Sequence, residues 1–211
     1  MSTQTQAHKF AATILQNLPE VPEDIMQGWI ENPKALQKLL AGLVPPVNGS
    51  ITEFKVFKTI KLGTGPTNAD GFRCHLKKDN IRIGDYANDI IGKPVFSVAT
   101  EEIELDLVVV SVAELGFPKG AGLKDIYAVA KKRGLELCPN EVGPQLRLQY
   151  KDQPKNEWLI IGMEPIAGSG GALSVFGVEH NGYGFWLNTY YGYPDDVWSE
   201  HYRFVFVLPR K

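Results

Sequence analysis

The sequence predicts an α+β protein: a short helical segment over residues 1–44, then a mixed domain over 51–211 that ends in an antiparallel, strongly bent five-strand sheet or partial barrel. Three observations carry this. Apolar residues recur at helical spacing as far as Leu43, and the turn-forming run Pro45-Pro46-Val47-Asn48-Gly49-Ser50 follows. From Gln145 onward the pattern shifts to a period of two, broken by Gly, Asn and Asp, which reads as a β meander over 145–211.

The helical segment divides into three. Phe10, Ile14, Leu15 and Leu18 form the first apolar stripe, and Pro19 and Pro22 end it. A second, shorter helix starts at Pro22, places Glu23 and Asp24 where the helix dipole favours negative charge, and presents Ile25, Met26, Trp29 and Ile30. The third has Asn32 as N-cap, Pro33 in its first turn and Leu36, Leu39, Leu40 and Leu43 along one face. These stripes exceed what three short helices can bury on one another. They dock on the body of the chain, or serve as a homo-oligomer or partner contact through Trp29 and the Leu36/Leu40/Leu43 face.

In the mixed domain, Glu53 to Leu62 reads as a half-buried strand. The loop Gly63 to Asn68 lacks the glycine spacing of a phosphate-binding motif, so Thr67 or Asn68 is expected as a plain N-cap for a helix from about Ala69 to Lys78. A second helix follows over Asp85–Ile91; its Asp85 and Asp89 would meet DNA phosphates with the wrong sign, which argues for helices that cap a sheet. Ile103 to Val110 is a strand that begins on a surface and ends in the core. Its Glu102, Glu104 and Asp106 are a solvated face, cross-strand partners for Lys55 and Lys61, or a cation site. A helix over Leu123–Arg133 buries Ile126, Tyr127, Val129 and Ala130 and stops at Gly134; Leu135–Cys138 then reads as a short strand that completes a β-α-β crossover.

Cys138 lies between Glu136 and Glu141, whose charge disfavours a thiolate, and neither His180 nor His201 is near it in sequence. Both cysteines are expected as reduced thiols, with no metal or other cofactor. The meander then runs Gln145–Tyr150, Glu157–Ile166, Leu173–Val178, Phe185–Tyr190 and Tyr202–Leu208, and Asn181-Gly182 supplies a type I′ hairpin turn.

Composition narrows the partners. With 211 residues, 44% hydrophobic and 22% charged, the chain can bury a full core, and a net charge of -2 offers no footprint for nucleic acid. Its longest apolar runs fall far short of a membrane span, and the N-terminus has no signal-peptide pattern, so a cytoplasmic protein is expected.

The segment Leu135 to Tyr150 (Leu-Glu-Leu-Cys-Pro-Asn-Glu-Val-Gly-Pro-Gln-Leu-Arg-Leu-Gln-Tyr), together with Asp152-Gln153-Pro154 and Phe204-Val205-Phe206-Val207, resembles a bacterial family of hypothetical proteins over Phe57 to Arg210. The resemblance implies a bacterial source. It carries over no activity, cofactor or catalytic residue.

The concentrated chemistry lies near the C-terminus, where 11 of the 22 aromatic residues fall between Phe176 and Phe206. Strand alternation accounts for Phe176, Phe185, Phe204 and Phe206. What alternation leaves over is Tyr190, Tyr191, Tyr193 and Trp198, beside Asp195, Asp196 and His201. Rings offer flat apolar surface and carboxylates orient hydroxyl or amine groups, so this loop is the candidate site for a small molecule, glycan or peptide; the competing reading folds the rings back over an open barrel end. The function expected is that of a non-catalytic binding or accessory protein. The alternative is a hydrolase-like enzyme in which Asp195 or Asp196 works with His201 as acid and base.

Overall fold

The computed structural model describes residues 22–34 and 54–210. Contacts divide the chain into two units, Met1–Ser50 and Ile51–Lys211. In the first, helix α1 (Glu23–Glu31) starts at Pro22, with Glu23 and Asp24 in its first turn, and leaves Ile25, Met26 and Ile30 exposed. The helix expected over residues 10–18 and the Leu36/Leu40/Leu43 face lie outside the described residues.

The second unit is α+β. Its strands are β1 (Lys58–Leu62), β2 (Arg82–Ile83), β3 (Ile103–Ser111), β4 (Ala121–Gly122), β5 (Glu157–Ile161), β6 (Ile166–Ala167), β7 (Leu173–Asn181), β8 (Gly184–Tyr191), β9 (Val197–Trp198) and β10 (Arg203–Leu208). Its helices are α2 (Ala69–Lys78), α3 (Asp85–Ile91), α4 (Leu123–Lys132) and α5 (Val142–Gln149). Eight strands form one mixed sheet in the order β1-β3-β10-β5-β7-β8-β2, with β6 beside β7, curled into a partial barrel; β4 and β9 pair separately.

The sheet therefore differs from the antiparallel five-strand meander expected. β10 inserts between β3 and β5, antiparallel to the first and parallel to the second, and β2 lies parallel to β8. The reason is legible in β10 itself. Phe204, Val205, Phe206 and Val207 are all buried, so both faces of this strand are covered, the pattern of a strand at the centre of a sheet with layers on both sides.

A second correction concerns Gln145–Tyr150, which is not a strand: Gln145 to Gln149 are the end of α5 and Tyr150 is its C-cap. Alternation of Leu146, Leu148 and Tyr150 with Arg147 and Gln149 mimics period two, yet Glu141, Gln145 and Gln149 form an i,i+4 ladder of side-chain hydrogen bonds at 3.0 and 2.9 Å. Helix residues 142–147 are all buried against β1, β7, β8 and α2, so no polar face betrays the helical period. Gln149 extends β1 as a strand would, accepting from Lys61 N–H at 3.0 Å and donating to Lys61 C=O at 2.7 Å.

Smaller differences follow the same logic. Leu135–Cys138 contributes one antiparallel bridge, Glu136 to Val207, so the β-α-β crossover is absent there. Arg82-Ile83, between α2 and α3, is an edge strand. The β7–β8 hairpin has Gly182-Tyr183 at its tip, and its positive φ falls on Gly184 at +108°, with Asn181 Oδ1 accepting from Tyr183 N–H, in place of a type I′ turn. Asn68 caps α2, its side chain accepting from Gly71 N–H.

The acidic stripe on β3 is taken up by cations. Lys61 Nζ meets Glu102 at 2.7 Å, while Arg210 spans Glu104 at 3.1 Å and Asp106 at 2.8 Å. Hydrogen bonds from Arg210, and then from Thr59, lower the Asp106 pKa from its ordinary 3.8 to about 2. A carboxylate with a depressed folded-state pKa contributes stability above its unfolded pKa and loses it as pH falls through the folded value. Carboxyl NMR titration is expected to place Asp106 near 2 in the wild type and to return it toward 3.8 in Arg210→Ala.

Candidate functional site

The chain around residues 190–201 is held at several points by backbone bonds. Gly192 N–H donates to Leu173 C=O at 2.9 Å, and Asp196 N–H closes a turn onto Tyr193 C=O at 3.1 Å. The first amides of α4 need acceptors, and the loop supplies them: Leu123 N–H donates to Asp196 C=O at 3.2 Å and Lys124 N–H to Pro194 C=O at 3.0 Å. β9 then pairs with β4, Trp198 opposite Ala121. A loop tied to a helix terminus and a strand pair presents its side chains in one arrangement.

That arrangement sends the four rings two ways. Trp198 is only 6% exposed and packs edge-on against Tyr202 and Phe204, each 5.0 Å between centroids, while its buried indole N–H has no hydrogen-bond partner among the described residues. Tyr190, half-buried, lies 6.0 Å from Trp198 and donates its hydroxyl to Glu179 Oε1 at 2.8 Å. Burial, followed by the Glu179 charge, pushes the Tyr190 phenol up. Tyr191 and Tyr193 face outward, 61% and 40% exposed, with centroids 6.2 Å apart and planes inclined by 37°.

Among the charged groups, Asp195 is exposed and Asp196 half-buried. His201 has an 87% exposed side chain, and its Nε2 lies 3.2 Å from Glu200 Oε1. Among the described residues no hydrogen bond joins His201 to Asp195 or Asp196. Cys138 is buried, donates to Val205 C=O at 3.4 Å, and has its thiol pushed up by burial. His180 is bonded through Nδ1 to Gln153 C=O at 2.6 Å. Glu141, read from sequence as a neighbour of Cys138, accepts from Gly63 N–H at 2.9 Å and Ala99 N–H at 2.7 Å and so staples two loops to α5.

Sequence reasoning missed a groove on the other side of this loop. Gly192 and Pro194 form one wall, Pro165 and Glu164 a second, and Leu123, Tyr127 and Lys131 of α4 the third, around a volume of about 360 Å³. That is within the roughly 300–1,000 Å³ range of ligand pockets. Tyr191, Tyr193 and Trp198 are not among its lining residues. No local signal announces the groove, because its walls are distant in sequence and meet through long-range bonds: the loop to the start of α4, and the Tyr127 hydroxyl of α4 to Met163 C=O at 2.9 Å.

Comparison with protein-family models, curated proteins and solved structures finds no match to this chain.

Proposed function

We propose that this is a non-catalytic binding or accessory protein whose ligand or partner engages the loop at 190–201. The observation that carries the reading is the Tyr191–Tyr193 pair: two large rings turned outward, 6.2 Å apart, at the end of β8 and on the loop that follows it, which is anchored to α4 and β4. Exposed apolar rings on a rigid loop are surface that a partner can cover without ordering the loop first. Asp195 beside them supplies an acceptor for a hydroxyl or amine. The acid–base alternative finds less support, since among the described residues the carboxylate paired with His201 is Glu200, and the His201 ring stands on open surface.

A thermal-shift screen of metals, nucleotides, sugars, amino acids and short peptides, run on wild type and on Tyr191→Ala/Tyr193→Ala, tests the proposal. A ligand at 100 times its Kd stabilises by about 2.7 kcal/mol, equivalent to roughly 5–10 °C for a chain of this size. The expected result is a hit on the wild type that disappears in the double variant. A hit of equal size on both proteins would remove the loop from the site.

A further inference from the structure

The register of the sheet assembles a second surface. Trp158 of β5 stands opposite Glu179 of β7, Glu179 opposite Trp186 of β8, and Trp186 opposite Arg82 of β2. Residues directly opposite in neighbouring strands share a face, so Trp158, Glu179, Trp186 and Arg82 form one row across four strands. Strands lie about 4.8 Å apart, which sets the two tryptophans roughly 10 Å from each other with the carboxylate between them.

Each member is positioned and accessible. Trp158 is 50% exposed, and Trp186, Glu179 and Asn188 are half-buried. Trp186 donates its indole N–H to Asn181 Oδ1 at 3.2 Å, and the Arg82 guanidinium lies 5.3 Å from its ring and 5.6 Å from that of Tyr183. Glu179 Oε1 receives Tyr190 at 2.8 Å and Asn188 Nδ2 at 3.3 Å, while Oε2 has no hydrogen-bond partner among the described residues. Gly177, the next residue on this face of β7, leaves the space into which the Tyr190 ring reaches; a Cβ there would come within 2.4 Å of it.

We propose that this row is a saccharide-binding platform, with Trp158 and Trp186 stacking against the apolar C–H faces of sugar rings and Glu179 and Arg82 bonding their hydroxyls. The chemistry selects this class. Hydroxyls both donate and accept, which suits a free carboxylate oxygen on one side of Trp186 and a guanidinium on the other, and flat rings present apolar area that an indole can cover. A phosphate backbone would meet Glu179 at the centre of the row. An extended peptide adding as a strand finds no free edge at β5, β7 or β8, each of which already has two neighbours; only the two-residue edge strand β2 is open. The proposal goes beyond the loop reading and stands without it.

The test titrates the full chain with cellotetraose, chitotetraose, maltotetraose, xylotetraose and mannotetraose, following tryptophan fluorescence and the indole N–H signals of Trp158 and Trp186 by NMR. At least one oligosaccharide is expected to give a saturable response at both indoles. Trp158→Ala should weaken it about tenfold or more, and Trp158→Phe should restore part of the loss. The wild-type indole signals need no variant, so a poorly folded Trp158→Ala does not spoil the readout. Silence of both indoles at about 10 mM of every probe, where a Kd of about 1 mM would already saturate, would overturn the proposal. So would equal binding by Trp158→Ala.

Discussion

Replacing Arg147 with alanine is expected to destabilise the protein by about 3–5 kcal/mol, the largest effect of any single truncation considered. Arg147 is fully buried, and among the described residues no carboxylate bonds to its guanidinium. Instead it donates to the Gln153 side chain, to Tyr150 C=O and, at 3.2 Å, to Glu179 C=O, with its charge 4.4 Å over the Phe185 ring. One side chain thus ties α5 to the turn that precedes β5 and to the hairpin. Burial lowers its pKa to about 10, so it remains a cation at neutral pH and its acceptors depend on it. Alanine leaves these acceptors buried without donors and opens a cavity. Arg147→Met fills the volume and removes the desolvated charge, so it should cost less than alanine by about 1–2 kcal/mol. Urea denaturation measures both; equal midpoints for wild type and Arg147→Ala would contradict the role assigned.

Glu141→Ala should follow closely, at about 3–4 kcal/mol. Its carboxylate is 1% exposed and accepts three hydrogen bonds, from Gly63 N–H, Ala99 N–H and Gln145 Nε2. Two of these donors are backbone amides on separate loops, which lose their acceptor together. Glu141→Gln retains one acceptor oxygen and should recover part of the loss. Hydrogen exchange at Gly63 and Ala99 separates this loop-stapling role from a general loss of packing, since those two amides should lose protection first.

These two residues also show how much of the molecule its sequence reveals. The helical N-terminal signals at Pro22, Glu23 and Asp24, the Asn68 cap, and the β7–β8 hairpin are local, and local chemistry announces them. α5 is different. Its residues 142–147 are all buried, and it carries Arg147, Gln145 and the Glu141 at its N-terminus inward, so neither its period nor its polarity marks it as a helix; long-range partners at Gly63, Ala99 and Glu179 make those polar groups acceptable in the core. The order of the sheet is similarly nonlocal. That β10 is apolar on both faces could have placed it inside the sheet, but nothing near it in the chain names β3 and β5 as its neighbours.

The candidate loop divides along the same line. The aromatic excess singles out the segment, but β8 runs on through Tyr190 and Tyr191, opposite Val175 and Ser174, so alternation explains their opposite turns and fails only beyond them. The inward turn of Trp198 depends on the β4–β9 pairing, and the place of Tyr193 on the bonds from Gly192 to Leu173 and from the start of α4 to Pro194. The row Trp158–Glu179–Trp186–Arg82 carries a weaker sequence signal. Each residue sits at an outward position of its own strand, yet only the register brings the four together.

The central claim, that the loop at 190–201 is where this protein binds, is tested most directly by watching its rings. Aromatic NMR signals of Tyr191, Tyr193 and Trp198 are followed while ligands that stabilise the wild type are titrated in. The claim predicts that Tyr191 and Tyr193 shift in a saturable manner, with much smaller changes at buried Trp198. Ligands that stabilise the protein while both tyrosines stay silent, moving only the groove residues of α4, would contradict it.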